Sequence, residues 1–192
     1  MISSVCVFCG SSNRVSEPYR RAAADLGAEI ARRGLRLVYG GGRVGLMGIL
    51  ADAALGVGGQ VIGVIPEFLR GLEVAHDGLS ELRVVGGMHE RKRAMFELAE
   101  AFLVLPGGFG TLDESIEIAT WRQLGLHDKP IVLVDIEGFW RPMRALIDGI
   151  IGEGFARPEH AGLFVTASSV DEALAALEDA PPRQVKSDAK WT

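Results

Sequence analysis

Seven short apolar runs recur along the chain: Val5–Cys9, Leu35–Tyr39, Gln60–Ile65, Leu82–Val85, Phe102–Leu105, Ile131–Asp135 and Phe164–Thr166. They are continuous rather than alternating, as expected of strands covered on both faces. Between them lie stretches with helical periodicity: Glu17–Arg33, a segment from the Gly40–Gly48 turn to about Leu55, Met88–Glu100, Thr111–Leu124, Phe139–Ile151 and Val170–Glu178. Strands alternating with helices predict an α/β fold: a Rossmann-like open parallel sheet with helices on both faces. At 192 residues, with no internal repeat and no linker, residues 1–179 read as one α/β domain. Residues 180–192, polar and carrying Pro181 and Pro182, read as a flexible tail.

In such sheets ligands sit beyond the carboxyl ends of the strands. Two glycine-rich turns fall there. Gly40-Gly41-Gly42-Arg43-Val44-Gly45-Leu46-Met47-Gly48 follows the second strand, and Pro106-Gly107-Gly108-Phe109-Gly110-Thr111 follows the fifth. Each leads into a helix, where bare backbone N–H groups and the helix dipole favour an anion such as phosphate. Neither is followed by Gly-Lys-Ser/Thr, and neither is a dinucleotide fingerprint after the first strand, which disfavours a P-loop and a nicotinamide cofactor. The formal net charge of −5 argues against a broad nucleic-acid-binding face.

Cys6 and Cys9 are spaced as C-x-x-C but lie in a strand-like run, so they read as core cysteines rather than a redox pair. His76, His89, His127 and His160 show no metal-ligand spacing, and no metal or cofactor is expected. No signal peptide or membrane-spanning run is visible, so the expected compartment is the cytoplasm.

Two residues carry most of the chemical signal. On the Met88–Glu100 helix, Met88, Arg91, Met95 and Leu98 share one stripe, so Arg91 faces inward; Lys92 lies beside the stripe, while Arg93 and Glu97 point away. An inward guanidinium is costly unless paired with a carboxylate or an anionic ligand, and both a structural salt bridge and a ligand contact remain open. Glu114 is the candidate partner. It also fits a capping box with Thr111 as N-cap, so it either caps the helix or presents a carboxylate to a ligand. On the Thr111–Leu124 helix, Ile116 and Ala119 point one way while Ile118 and Trp121 point another. The spread suggests contact with a second subunit, making a homodimer through this helix.

Taken in order, Gly40–Gly48 (GGGRVGLMG), Met88–Lys92 (MHERK), Pro106–Glu114 (PGGFGTLDE) and Thr120–Gly125 (TWRQLG) resemble the LONELY GUY (LOG) family. The likeness runs from Cys6 to about Leu177. These proteins are cytokinin riboside 5′-monophosphate phosphoribohydrolases, also labelled lysine decarboxylases, although no pyridoxal-binding lysine motif is apparent here. The resemblance implies that Arg91 and Glu114 are catalytic. It implies that Lys92, Gly107, Gly108, Gly110 and Thr111 bind the nucleotide phosphate. It also implies that Glu73, Met88 and Thr120 contact substrate. Gly41, Gly42 and Gly45 of the first glycine turn are further candidate substrate-binding residues. Asp113 stands where many members carry Glu, and the Arg70–Gly87 loop is idiosyncratic, which bears on substrate preference.

The expected reaction is hydrolysis of the N-glycosidic bond of a cytokinin riboside 5′-monophosphate or AMP, giving free base and ribose 5-phosphate. Two alternatives stand beside it: a non-catalytic nucleotide-binding or cofactor-carrier protein of the same fold, and a nucleosidase indifferent to the phosphate. DNA binding is disfavoured by the acidic balance.

Overall fold

The computed structural model describes residues 2–72 and 74–178. The expectations placed on Glu73 and on the 180–192 tail lie outside the described residues.

The elements follow in the order β1 (Ser4–Phe8), α1 (Glu17–Arg32), β2 (Arg36–Tyr39), α2 (Gly45–Gly56), β3 (Val61–Pro66), β4 (Glu81–Val85), α3 (Met88–Leu98), β5 (Ala101–Val104), α4 (Phe109–Gln123), β6 (Ile131–Val134), α5 (Arg141–Gly152), β7 (Val165–Ala167) and α6 (Val170–Glu178). The seven strands form one sheet in the order β4-β3-β2-β1-β5-β6-β7. Every pairing is parallel, with Val5 opposite Leu37 on one side and Ala101 on the other. The expected open parallel sheet is therefore present, and strand boundaries differ from the sequence reading by about one residue.

Parallel strands with covered faces send alternate side chains into two cores. Val5, Val7, Leu37, Tyr39 and Leu103 pack on one face with Leu26 and Ile30 of α1, Leu50 of α2 and Leu174 of α6. Cys6, Phe8, Val38, Phe102 and Val104 pack on the other with Met95 of α3, Ile118 of α4 and Met143 of α5. Sequence order reverses between β1 and β5, so the turns after these two strands lie side by side. Gly10 N–H donates to the Pro106 carbonyl (3.1 Å). This is the topological switch point, where a crevice opens in folds of this kind.

The expected capping box is not formed. The N-cap of α4 lies three residues earlier than the sequence suggested: it is Gly108, and Thr111 is the third residue of the helix. Thr111 is buried, and its side chain occupies the space a Cβ on Gly107 would need. Glu114 thus sits nearly two turns into the helix, and its capping role is removed. Ile116 and Ala119 also differ from expectation: Ala119 is buried whereas Ile116 is 46% exposed.

Helices α1 and α2 approach so closely at Gly27 that a Cβ there would overlap the Leu50 carbonyl. Backbone cannot rotate away as a side chain can. Gly27→Ala should therefore destabilise the fold by about 2–3 kcal/mol, read as a lower urea midpoint at unchanged m-value. An unchanged midpoint would refute the close packing of these helices.

Candidate active site

A cleft of about 220 Å³ opens at the switch point. Its floor is the end of β1 with Cys9, Gly10 and Ser11; its walls include Gly40, Met88, Arg91, Gly108, Gly110, Thr111 and Glu114. A larger groove of about 750 Å³ runs along α1 beside α6. Its walls carry five carboxylates (Glu17, Asp25, Glu29, Glu137 and Asp171) against two arginines, a field that repels a phosphate. The switch-point cleft is the better anion site.

Arg91 is only 4% exposed, as its place in the apolar stripe requires. Burial of a guanidinium demands hydrogen-bond acceptors. Its Nε donates to the Val64 carbonyl at 3.1 Å and its Nη2 to the Gly40 carbonyl at 2.8 Å. The Met88 sulfur lies 3.9 Å from Nη1. The arginine is thus clamped across the carboxyl ends of β2 and β3. Gly40 has to be glycine here, because a Cβ would overlap Nη2. Glu114 lies on the wall of the same cleft. Its charge reaches Cys6 under the floor: burial pushes the Cys6 thiol well up, and the Glu114 carboxylate adds in the same direction.

The two glycine turns differ in what remains free to bind. In the first, the Gly45 N–H donates to Asn13 Oδ1 (2.9 Å), the Leu46 N–H to the Gly10 carbonyl (2.9 Å), and the Arg43 N–H to the Val74 carbonyl (2.8 Å). Gly41 and Gly45 adopt φ of 76° and 61°, a region glycine enters readily. A Cβ on Gly45 would overlap the backbone of Ser11, and Gly42 pairs with Ala75 in an isolated bridge. None of Gly41, Gly42 and Gly45 is among the lining residues. In the second turn, Gly108, Phe109, Gly110 and Thr111 line the cleft at the start of α4. Helix geometry leaves the first N–H groups there without intrahelical acceptors.

Lys92 points elsewhere. Its Nζ lies 3.1 Å from both Asp113 Oδ2 and Glu117 Oε1, bridging α3 to α4. Burial alone would lower this ammonium's pKa; the hydrogen bonds to Glu117 and Asp113 outweigh it and raise it. Thr120 turns its hydroxyl back to the Ile116 carbonyl (2.8 Å), and Gly107 packs against Thr111. The structure therefore gathers Met88, Arg91, Gly108, Gly110, Thr111 and Glu114 in one cleft and places the other described candidates around it.

Sequence reasoning missed Gly10, Ser11, Gly40, Leu69 and Phe109, which also line the cleft. Gly10-Ser11-Ser12-Asn13 was legible as a turn at a strand carboxyl end; Leu69 had no local signal. Phe109 is 92% exposed at the cleft mouth. Among the described residues no group of three or more His, Cys, Asp and Glu is placed to hold a metal ion, and no helix is long and apolar enough to cross a membrane.

Residues 47–177 match the family model described as "Possible lysine decarboxylase". The chain is 45% identical over 188 residues to cytokinin riboside 5′-monophosphate phosphoribohydrolase LOG1 of Arabidopsis thaliana, covering 97% of this chain and 87% of that one. It is 44% identical over 178 residues to cytokinin riboside 5′-monophosphate phosphoribohydrolase LOG of Oryza sativa subsp. japonica, covering 93% and 74%. Among solved structures, the Moco carrier protein of Chlamydomonas reinhardtii superposes with a TM-score of 0.72 at 23% identity, over 94% of this chain and 98% of that one, a likeness of fold. With a clamped arginine, a glycine turn open to an anion and relatives matched along nearly its whole length, this chain belongs to the LOG family of the possible lysine decarboxylase group.

Proposed function

We propose that this chain is a phosphoribohydrolase that cleaves the N-glycosidic bond of nucleoside 5′-monophosphates of the adenine type, cytokinin riboside 5′-monophosphates and AMP among them. The observation that carries the reading is the cleft itself: the open N-terminus of α4, a carboxylate at Glu114 and the buried guanidinium of Arg91 face one volume at the switch point. The named activity of the plant relatives supports it.

The 5′-phosphate docks on the N–H groups of Gly108, Gly110 and Thr111, where the α4 dipole favours negative charge. Phosphate binding holds the ribose so that C1′ meets Glu114. As the bond from C1′ to N9 lengthens, the ribose gains oxocarbenium character, and the carboxylate stabilises it as in glycoside hydrolysis. Water supplies hydroxide to C1′ and a proton to the departing base. Arg91, fixed by Val64 and Gly40, orients Glu114 or the ribose hydroxyls. Met88 lies against the base. Gly41, Gly42, Gly45, Lys92, Gly107 and Thr120 act in this reading as the frame that shapes the cleft. The reaction as written uses neither a metal nor a redox cofactor. Buried thiols at Cys6 and Cys9 suit a reducing compartment such as the cytoplasm.

The cleft of about 220 Å³ is smaller than the ~300–1,000 Å³ usual for pockets that enclose a small-molecule ligand. Phe109 lines its mouth, and Ile116 and Leu124 continue an exposed apolar series along α4 to its C-cap: the three are 92%, 46% and 62% exposed. A second copy packed on this helix closes the cleft and covers these residues, giving a homodimer.

Three measurements follow. Glu114→Gln removes the charge but keeps the shape, so turnover should fall by about a thousandfold with AMP affinity largely kept; undiminished turnover would remove Glu114 from the chemistry. Titration of AMP into ¹⁵N-labelled protein should shift the Gly108, Gly110 and Thr111 amides and spare Gly45 and Leu46; the reverse pattern would move the phosphate to the first turn. Light scattering should return twice the chain mass, falling to the single mass for Ile116→Glu; a wild-type monomer would contradict the dimer.

A further inference from the structure

His76 is one of the few buried polar residues outside the cleft, at 3% exposure. Its Nδ1 accepts the Gly78 N–H (3.1 Å), so the ring proton resides on Nε2, which donates to Asp52 Oδ1 at 2.8 Å. Asp52 belongs to α2, whose N-terminus is tied to the β1 turn by Asn13 and Gly10. The imidazole therefore fastens the Val74–Gly78 strap to a docked helix.

The strap in turn holds the first glycine turn. The His76 N–H donates to the Gly41 carbonyl (3.0 Å), the Arg43 N–H to the Val74 carbonyl (2.8 Å), and Ala75 bridges Gly42. Val74 is β-branched yet adopts φ of 48°, a conformation kept only where surrounding contacts over-determine it. Three consecutive glycines give a backbone with little stiffness of its own. The Gly40 carbonyl, one peptide unit before the one His76 holds, accepts the Arg91 Nη2 (2.8 Å).

We propose that His76, through its bond to Asp52, is a positioning residue for Arg91. It fixes the strap, the strap fixes the glycine turn, and the turn presents the carbonyl that aims the guanidinium. The kinetic part of this inference rests on the reaction proposed above; the geometric part does not.

The test compares His76→Ala, Asp52→Ala and Asp52→Asn with Leu174→Ala, a core truncation in α6 on the far side of the sheet order. Two readouts are taken: the ¹H–¹⁵N cross-peak of the Arg91 Nε–H, and kcat with KM on AMP. His76→Ala and Asp52→Ala should displace or broaden the cross-peak and lower kcat about tenfold with KM within about twofold. Asp52→Asn keeps an acceptor oxygen for Nε2–H and should restore both readouts. Leu174→Ala should lower the melting temperature and leave both unchanged. An undisturbed cross-peak in Asp52→Ala, or equal disturbance in Leu174→Ala, overturns the proposal. Asp52 is largely exposed, so its variants decide the matter if His76→Ala does not fold. Should the wild-type chain release no base, the proposed reaction fails, and the cross-peak alone decides the positioning of Arg91.

Discussion

A guanidinium taken out of water must find acceptors, and at Arg91 two of them are the backbone carbonyls of Val64 and Gly40. That requirement organises the molecule around the switch point. Helix α3 has to cross the carboxyl ends of β2 and β3 for Arg91 to reach both Gly40 and Val64. The turn after β2 has to begin with glycine, because any side chain there would occupy the guanidinium's place. Breaking one of these contacts leaves a buried charge under-satisfied, which is costlier than the contact's own contribution. The arginine is accordingly held by the protein's own backbone.

The two glycine-rich turns look equivalent as text and differ in the folded chain. What separates them is the fate of their N–H groups. Around Gly45 the donors are taken by Asn13, Gly10 and Val74, and the glycines serve close backbone approach. Around Gly108 the helix start opens onto the cleft. Glycine content signals that backbone comes close to something; only the partners reveal whether that is a ligand or another strand's turn.

The parallel sheet, the helix order and the inward Arg91 were legible because each rests on periodicity, a local property of the chain. The capping assignment at Thr111 failed for a local reason: Gly108, extended at φ −95° and ψ −155°, starts the helix earlier, and the threonine was needed as packing under Gly107. Lys92 was placed beside the apolar stripe, but its partners Asp113 and Glu117 lie on another helix. The His76–Asp52 bond joins residues 24 apart, and nothing in either neighbourhood marks it. Contacts set by tertiary geometry leave no spacing to read. The family likeness pointed to Arg91 and Glu114 together, and both line one cleft.

The claim that a phosphate held at the α4 N-terminus enables N-glycosidic cleavage has a direct test. Purified protein is incubated separately with AMP, isopentenyladenosine 5′-monophosphate, adenosine and isopentenyladenosine, and free base is followed by liquid chromatography. The account predicts base from the monophosphates and none from the nucleosides. Equal release from nucleosides would contradict the phosphate anchor, and no release from any of the four, with nucleotide still bound, would make the cleft a carrier site.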